Sequence, residues 1–227
     1  MSRWIILYSL LCIACSDIQI QEEKKFQLEV GDILFQDLDS SPLCDAIELV
    51  TKGYENSNLS HIGIVVDIEN DVTNTENRLR VLEALPGGVI TTSIDSFLMR
   101  SFDRNDKPKV IVGRLKREYK KSIPSAIKFI KTKIGMDYDD EFIIDNGKYY
   151  CSELIYDAFA NDNIFQLQPM TFKHPENGET LKAWINYYSE LNKEIPEEKL
   201  GINPGGMSLS KYIDIIHQYG TPDGMKR

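Results

Sequence analysis

The spacing of apolar residues changes several times along the chain, and each spacing predicts a different element. Residues 59–68, LSHIGIVVDI, are β-branched and apolar, which is typical of a buried strand. Residues 123–134 instead carry apolar side chains at helical spacing and are followed by Gly135. The predicted strands are residues 33–35, 59–68, 78–85, 89–92, 109–115 and 165–172. The predicted helices are a segment that begins at Pro42 and stops at Gly53, and residues 93–100, 123–134, 149–160, 180–192 and 209–219.

The connections between these segments complete the predicted order. Residues 69–77 are polar and predict a hairpin loop, and residues 195–206 are rich in proline and glycine and predict a longer loop. Ser208 and Gly220 are the predicted N-cap and stop of the last helix. A helix, then several strands, then further helices indicate an α+β fold with a mainly antiparallel sheet.

The composition is that of a soluble globular protein. The chain has 227 residues, of which 42% are hydrophobic and 27% are charged, so it can bury a core without disulfide bonds. Lys and Arg number 26 against 35 Asp and Glu, for a net charge of −9. Because a polyanion is repelled by such a surface, we expect no nucleic-acid partner. No apolar stretch approaches the roughly 20 residues that span a bilayer.

The N-terminal segment has the pattern of an export signal. Arg3 is followed by an apolar run, residues 4–14, and then by Cys15 and polar residues. The pattern resembles a bacterial lipoprotein signal, except that Cys12 stands where leucine is usual. A buried N-terminal helix and an ordinary cleaved signal are the alternatives.

The lipoprotein interpretation divides the chain into three parts. It predicts a signal peptide over residues 1–14, lipidation of Cys15 and a tether over residues 15–25, with residues 26–227 as a single domain. It also predicts an exported protein of the bacterial cell envelope that is membrane-anchored through the lipid.

Two further cysteines have different settings. Cys44 lies beside the apolar stripe of the first predicted helix, which favours a small buried hydrophobe. Cys151 falls where a helix is predicted to begin, and unpaired N–H groups and the helix dipole favour a thiolate there. A buried structural cysteine is the alternative for Cys151. We expect no disulfide bond between the two.

His61 lies in a strand that is apolar on both faces. Alternation places Leu59, Gly63 and Val65 on its face, and a buried imidazole needs hydrogen-bond partners. Gly63 predicts open space beside the ring, as a site requires. A core histidine with satisfied hydrogen bonds is the alternative.

Glu83 is the predicted partner of His61. It lies in the next strand, where an ionised carboxylate needs a cation or hydrogen-bond donors and could orient the imidazole. An edge-strand glutamate in water is the alternative, and Asp67 and Asp32 are weaker candidates for the same role. Cys151, His61 and Glu83 would together form a nucleophilic set.

Other chemistries find no support in the spacing of residues. The sequence lacks G-x-S-x-G, P-loop, G-x-G-x-x-G, H-E-x-x-H and C-x-x-C motifs. The acidic residues between Asp137 and Glu141 lack calcium-loop spacing and are interpreted as solvated. His174 lies before a proline in a loop and His217 near a predicted helix end, and neither is assigned a role.

Six segments in order resemble a known family. They are GDILF, SHIGIVV, VLEALPGGV, VGRL, GMDYDDEF and YYCSELIYDAF, from about Val30 to Phe159. These segments are similar to the circularly permuted papain-like enzymes of the NlpC superfamily, in the YiiX-like branch. The resemblance implies a papain-like fold in which the histidine strand precedes the cysteine helix.

The resemblance also implies roles for individual residues. Cys151 would be the nucleophile, His61 the general base and acid, and Glu83 the orienting residue. Tyr138 would be a phenol that stabilises an oxyanion, although by itself it reads as a loop aromatic. The mechanism that this implies uses neither a metal ion nor an organic cofactor.

We therefore expect a cysteine hydrolase, an amidase or peptidase that cleaves amide bonds in cell-wall peptide. One alternative is a lipid ester or amide hydrolase, or an acyltransferase, of the same fold. A second alternative is a lipoprotein that binds a peptide or lipid without catalysis.

Overall fold

In the computed structural model, residues 26–68 and 78–226 are described, and they form a six-stranded antiparallel sheet with helices packed against it. The strands are β1 (Ile33–Gln36), β2 (His61–Asp67), β3 (Leu79–Leu85), β4 (Gly88–Ser93), β5 (Val110–Leu115), β6 (Gln168–Pro169), β7 (Leu200–Gly201) and β8 (Ile213–Gln218). The α-helices are α1 (Pro42–Val50), α2 (Ile94–Leu98), α3 (Ile123–Lys131), α4 (Cys151–Ala158), α5 (Lys182–Leu191) and α6 (Pro204–Ser208). Short 3₁₀ helices cover Tyr54–Asn56, Arg117–Ser122 and Ala160–Asp162.

The sheet has a hydrophobic core on each face. Its strand order is β4-β3-β2-β1-β5-β8, so β1 lies in the interior, and all four of its residues are buried. Ile33 and Phe35 join the larger core, which includes residues of α3 and α4, whereas Leu34 joins a smaller core around Phe97 of α2. Successive side chains of β1 point to opposite faces of the sheet, so this one strand contributes to both cores.

Pairing of the interior strands brings the polar candidates towards one another. His61 opens β2 opposite Gln36, and Ile64 pairs with Leu82 one residue before Glu83. The β3–β4 connection is tight because Gly88 has φ of 123°, and a Cβ there would lie 2.6 Å from the Met136 carbonyl oxygen. Glycine is therefore required at this turn.

The strands and helices predicted before residue 160 are confirmed, with shifted ends. α3 stops at Lys131, which leaves Ile134 47% exposed, and α4 begins at Cys151. The predicted hairpin loop at residues 69–77 lies outside the described residues. No helix among the described residues is long and apolar enough to cross a membrane.

The prediction of a final helix over residues 209–219 is wrong. Residues Ile213–Gln218 form β8, which pairs antiparallel with β5 with an irregularity at Val112/Gly113. Several isoleucines there are compatible with either element, and the open edge of β5 supplies backbone partners that favour the strand. Ser208, the predicted N-cap, instead closes α6, and its hydroxyl accepts a hydrogen bond from the Tyr54 N–H.

The predicted strand at residues 165–172 is also largely wrong. Only β6 is extended there, and it pairs with β7, which lies inside the predicted loop at residues 195–206. The helix predicted at residues 180–192 is confirmed as α5. Residues of α5 pack against α1 in a separate aromatic cluster of Trp184, Tyr188 and Phe172.

Candidate active site

Cys151 is the first residue of α4, where helical N–H groups have no intrahelical partner. The neighbouring backbone is tied to the segment after β7, because Ser152 Oγ donates to the Ile202 carbonyl at 2.9 Å and the Ile202 N–H donates to Tyr150 Oη at 3.2 Å. Cys151 is 7% exposed. The sulfur thus lies at the positive end of the helix dipole.

His61 lies between Cys151 and Glu83. Its Nε2 is 2.6 Å from Glu83 Oε2, and the Cys151 side chain lies close enough to the same ring to affect its pKa. Because Nε2 faces Glu83, Nδ1 is the nitrogen available to the sulfur. The predicted contact between His61 and Glu83 is therefore present, and the structure brings Cys151 to the same imidazole.

The surroundings of His61 favour its charged form. Burial by itself lowers the pKa of the imidazole, but hydrogen bonds to Cys151 and Glu83, together with their negative charges, outweigh burial and raise the pKa to about 9. At neutral pH the ring is therefore an imidazolium. An imidazolium beside a thiolate can both stabilise the nucleophile and deliver a proton.

Glu83 is fully buried and ionised. Burial raises its pKa, but hydrogen bonds from Arg100 and then His61 lower the pKa to about 2. Arg100 Nη1 donates to Oε2 at 2.7 Å, Arg100 Nη2 donates to Oε1 at 2.5 Å, and Thr92 Oγ1 donates to Oε1 at 2.5 Å. The alternative interpretation of Glu83 as a glutamate in water is wrong.

Sequence reasoning did not identify Arg100 or Thr92. A buried carboxylate needs a cation or hydrogen-bond donors, so a partner for Glu83 could be expected. That requirement does not indicate which residue in the sequence supplies it. The two weaker candidates for Glu83's place are engaged elsewhere. Asp32 accepts from Arg114 at 2.7 and 2.8 Å, and Asp67 pairs with Arg78 at 3.4 Å.

The open space predicted beside Gly63 is not found. A Cβ on Gly63 would lie 2.4 Å from Val81 Cγ1, 3.2 Å from Phe97 Cε2 and 3.4 Å from Glu83 Cβ. The missing side chain therefore lets β3 and α2 pack closely against β2. This close packing holds Glu83 near His61, which is a different role from providing room for a substrate.

Tyr138 lies on the wall of the cavity that contains Cys151. It is half-buried and forms a parallel bridge with Tyr149, two residues before Cys151. Burial, and then the charge of Cys151, raise the pKa of Tyr138 well above its ordinary value. The phenol therefore stays protonated and can donate a hydrogen bond.

The acidic run after Tyr138 is not solvated throughout, contrary to expectation. Asp139 is fully buried, and its carboxylate accepts the N–H groups of Glu141 at 2.9 Å and Ile143 at 2.6 Å. Asp139 thus organises the loop that carries Tyr138.

A cavity of about 910 Å³ opens beside Cys151, His61 and Tyr138. Its wall is largely apolar and draws on α1, the loop after Tyr138, and residues 164–212. The aromatic residues that line it are Tyr138, Phe142, Tyr150, Phe165, Phe172, Trp184, Tyr187 and Tyr212. The charged side chains among its described lining residues, apart from His61, are Asp140 and Lys211.

Cys44 is a free, buried cysteine, as Cys151 is, so the expectation of no disulfide between them is confirmed. Its sulfur lies 3.4 Å from Ser40 Oγ and 3.5 Å from Ser41 Oγ. These contacts agree with the interpretation of Cys44 as a small buried side chain.

The other two histidines lie away from the site. His217 is in β8, not near a helix end as predicted, and it stacks on Phe26 with ring centroids 4.0 Å apart. The half-buried side chain of His174 accepts the Glu176 N–H at 3.2 Å.

Three carboxylates converge elsewhere, in what we call the Lys109 cluster: Asp37, Asp39, Asp223 and Lys109. Among the described residues, these carboxylates are the group whose oxygens are close enough to share a metal ion. Lys109 Nζ lies 2.7 Å from Asp39 and 3.1 Å from both Asp37 and Asp223. Since an ammonium group already occupies the centre, these carboxylates do not fit a metal ion.

Comparisons with known proteins agree with this architecture. No curated protein matches the chain. A crystal structure of yiiX from Escherichia coli O157:H7, described as a metalloprotein, is similar with a TM-score of 0.66 and 22% identity. The match covers 86% of this chain and 99% of that one, which shows a shared fold. The model of the C92 family, permuted papain-like amidase enzymes of the YaeF/YiiX type, matches residues 27–216, and the chain therefore belongs to that family.

Proposed function

We propose that this protein is a cysteine amidase in which Cys151, His61 and Glu83 act as a triad. The observation that carries the proposal is that Cys151 and His61 line one large cavity and act on each other, while the His61 ring contacts the Glu83 carboxylate. Family membership supports amide hydrolysis as the reaction class. The cavity near the sulfur distinguishes this arrangement from a buried structural cysteine.

Acylation begins with attack of the Cys151 thiolate on the carbonyl carbon of the substrate. The carbonyl π electrons move to oxygen, and the oxyanion accepts hydrogen bonds from the Cys151 N–H and the Tyr138 phenol. The His61 imidazolium then donates its proton to the leaving nitrogen as the carbon–nitrogen bond breaks. A thioester on Cys151, a free amine and a neutral imidazole remain.

Deacylation reverses the role of His61. The neutral imidazole takes a proton from water, and the hydroxide attacks the thioester carbonyl. Collapse of the second oxyanion releases a carboxylic acid and restores the thiolate beside an imidazolium. A hydroxyl or amine in place of water would make the same enzyme an acyltransferase.

The proposed substrate is an amide bond in cell-wall peptide. The largely apolar, aromatic wall of the cavity favours a second candidate, a lipid amide or ester whose acyl chain occupies that space. Charged peptide groups would find few partners among the described lining residues. The yiiX structure is described as a metalloprotein, but no step proposed for this chain uses a metal ion.

A lipid anchor at Cys15 completes the proposal, with the enzyme exported and held at the bacterial envelope. Residues 1–25 lie outside the described residues, so this part rests on the sequence pattern alone. We expect Cys15→Ser to release the protein from the membrane fraction. Unchanged fractionation would contradict the anchor and leave the catalytic proposal intact.

Mass spectrometry of reaction products tests the activity. Purified wild-type protein and Cys151→Ala would be incubated in parallel with cell-wall peptide fragments, with N-acyl amides and with phospholipids. We expect a product with wild type alone, and the substrate mixture that yields it decides between the two candidates. Identical mixtures from both proteins in all three incubations would refute catalysis.

Alkylation by iodoacetamide separates an enzyme from a binding protein. If His61 activates Cys151, wild-type Cys151 should be alkylated faster at pH 7 than Cys151 in His61→Ala. Peptide mapping allows Cys44 to serve as a reference in the same molecule. A Cys151 profile like that of a free thiol and indifferent to His61 would favour binding without catalysis.

A further inference from the structure

The Glu83 carboxylate is shared between two cations. Its Oε2 lies 2.6 Å from His61 Nε2 and 2.7 Å from Arg100 Nη1, and its Oε1 lies 2.5 Å from Arg100 Nη2. Thr92 donates the fourth contact. Because Glu83 is fully buried, these four hydrogen bonds from three side chains take the place of water around it.

We infer that Arg100 is a positioning residue which, through Glu83, sets how tightly His61 holds its proton. The inference rests on the proposed function of His61 as the acid and base. Arg100 acts through Glu83, because its guanidinium donates to both oxygens of that carboxylate.

The two N–H donors of the Arg100 guanidinium orient the Glu83 carboxylate. Two parallel N–H···O bonds fix the plane of a carboxylate, whereas a single bond from His61 would leave it free to rotate. The guanidinium in turn lies 5.0 Å from the Phe97 ring centroid, and Phe97 also contacts the His61 ring at 5.7 Å. Arg100, Phe97 and His61 therefore form one packed unit around the acidic group.

Arg100 also keeps the charge balanced during the reaction. When His61 has given its proton to a leaving group, Glu83 still has a cationic partner and stays ionised. Without Arg100, the buried carboxylate would depend on His61 alone for a positive charge, and it would hold the imidazolium proton more tightly. Arg100 thus keeps His61 able to release its proton.

Titration of His61 by NMR tests this inference in the full chain. The Cys151→Ser background removes the effect of the Cys151 sulfur on the His61 titration. We expect Arg100→Gln to raise the His61 pKa by about one unit or more, the usual effect of an unshared neighbouring charge. Arg100→Lys keeps a cation and should give a smaller shift. Arg104→Gln, the same change at an exposed arginine four residues later, should leave the titration unchanged. An unaltered His61 pKa in folded Arg100→Gln overturns the inference.

A second pair of variants checks the route. In a Glu83→Gln background, Arg100→Gln should shift His61 much less, and an undiminished shift would overturn the action through Glu83. If Arg100→Gln does not fold, the smaller rise of the His61 pKa is measured in Arg100→Lys against Arg104→Lys in the same Cys151→Ser background; equal His61 pKa values in the two proteins overturn the inference. A His61 titration unaffected by Cys151 would instead contradict the proposed function, and the Arg100 result would still stand.

Discussion

Two buried charge clusters in this protein look alike and differ in what they can do. In the Glu83 cluster, one buried carboxylate binds two cations, His61 and Arg100, and in the Lys109 cluster, one buried ammonium group binds three carboxylates. The central side chains are almost completely buried, with Glu83 0% and Lys109 2% exposed. Burial and ion pairing are similar in the two clusters, so these properties alone do not show which cluster can take part in a reaction.

The difference lies in which group can give up a proton and where that proton can go. His61 has a pKa of about 9 and contacts Cys151 beside the cavity. The pKa of Lys109 is raised further from neutrality by Asp39, Asp37 and Asp223 despite burial, and the cluster ties the C-terminal segment to the loop after β1. Chemistry therefore requires a titratable group that reaches a cavity, and burial with ion pairing is insufficient.

The largest expected effect separates the clusters by activity. His61→Ala removes the proposed acid and base, so we expect turnover of the substrate that the mass-spectrometric test identifies to fall by roughly a factor of 10²–10⁴. The fold should survive, because Arg100 still balances Glu83. His174→Ala, at a half-buried histidine away from the site, is the matched control and should retain activity. Retained turnover in folded His61→Ala would contradict the role of His61.

The second effect separates them by stability. Lys109→Met leaves Asp37 buried without its cation, and breaking such a pair typically costs about 3–5 kcal/mol. Chemical denaturation should show this loss, while the alkylation profile of Cys151 stays unchanged. Lys121→Met, at an exposed lysine, is the control. A changed Cys151 profile would mean that the clusters are coupled.

The third prediction concerns pH. The His61 pKa is raised from 6.5 to about 9 in the fold, so its contribution to stability is fully present below pH 6.5 and is lost as the pH rises through 9. The difference in unfolding free energy between wild type and His61→Ala should shrink by about 3 kcal/mol across that range. A constant difference would show that His61 is not selectively charged in the fold.

The smallest effect concerns the packing that joins β2 to β3. Gly63→Ala places a methyl group 2.4 Å from Val81 Cγ1, and overpacking of this kind costs about 1–3 kcal/mol. The unfolding free energy should fall by that amount. Gly206→Ala, whose nearest such contact is 3.5 Å, is the comparison and should cost less. Equal stabilities would mean that β2 and β3 can separate freely.

Much of the candidate site could be predicted from local pattern. Cys151 stands at a helix start, and His61 and Glu83 are polar residues in apolar strands, so each was conspicuous in its own segment. Burial makes a lone polar side chain costly, and that cost predicts a partner for each of them. The contact between His61 and Glu83 follows from pairing of β2 with β3, which are adjacent strands.

Other parts of the site could not be predicted in this way. Arg100 lies 17 residues from Glu83 and resembles any surface arginine, and the turn through β4 and α2 brings it back to the carboxylate. In the sequence, Gly63 suggests an empty volume beside His61. Only the fold shows that the side chains of Val81 and Phe97 occupy that volume. The apolar wall of the cavity depends on α5 packing against α1, far apart in the chain.

The sequence by itself determined the interior strands, the start of the cysteine helix and the need for a charged partner, since periodicity, capping and burial act over a few residues. The tertiary structure alone decided that residues Ile213–Gln218 are a strand and that Arg100 completes the carboxylate's shell. An open sheet edge and an unbalanced buried charge are properties of the assembled fold. Each can be satisfied by any segment that the topology brings within hydrogen-bonding distance.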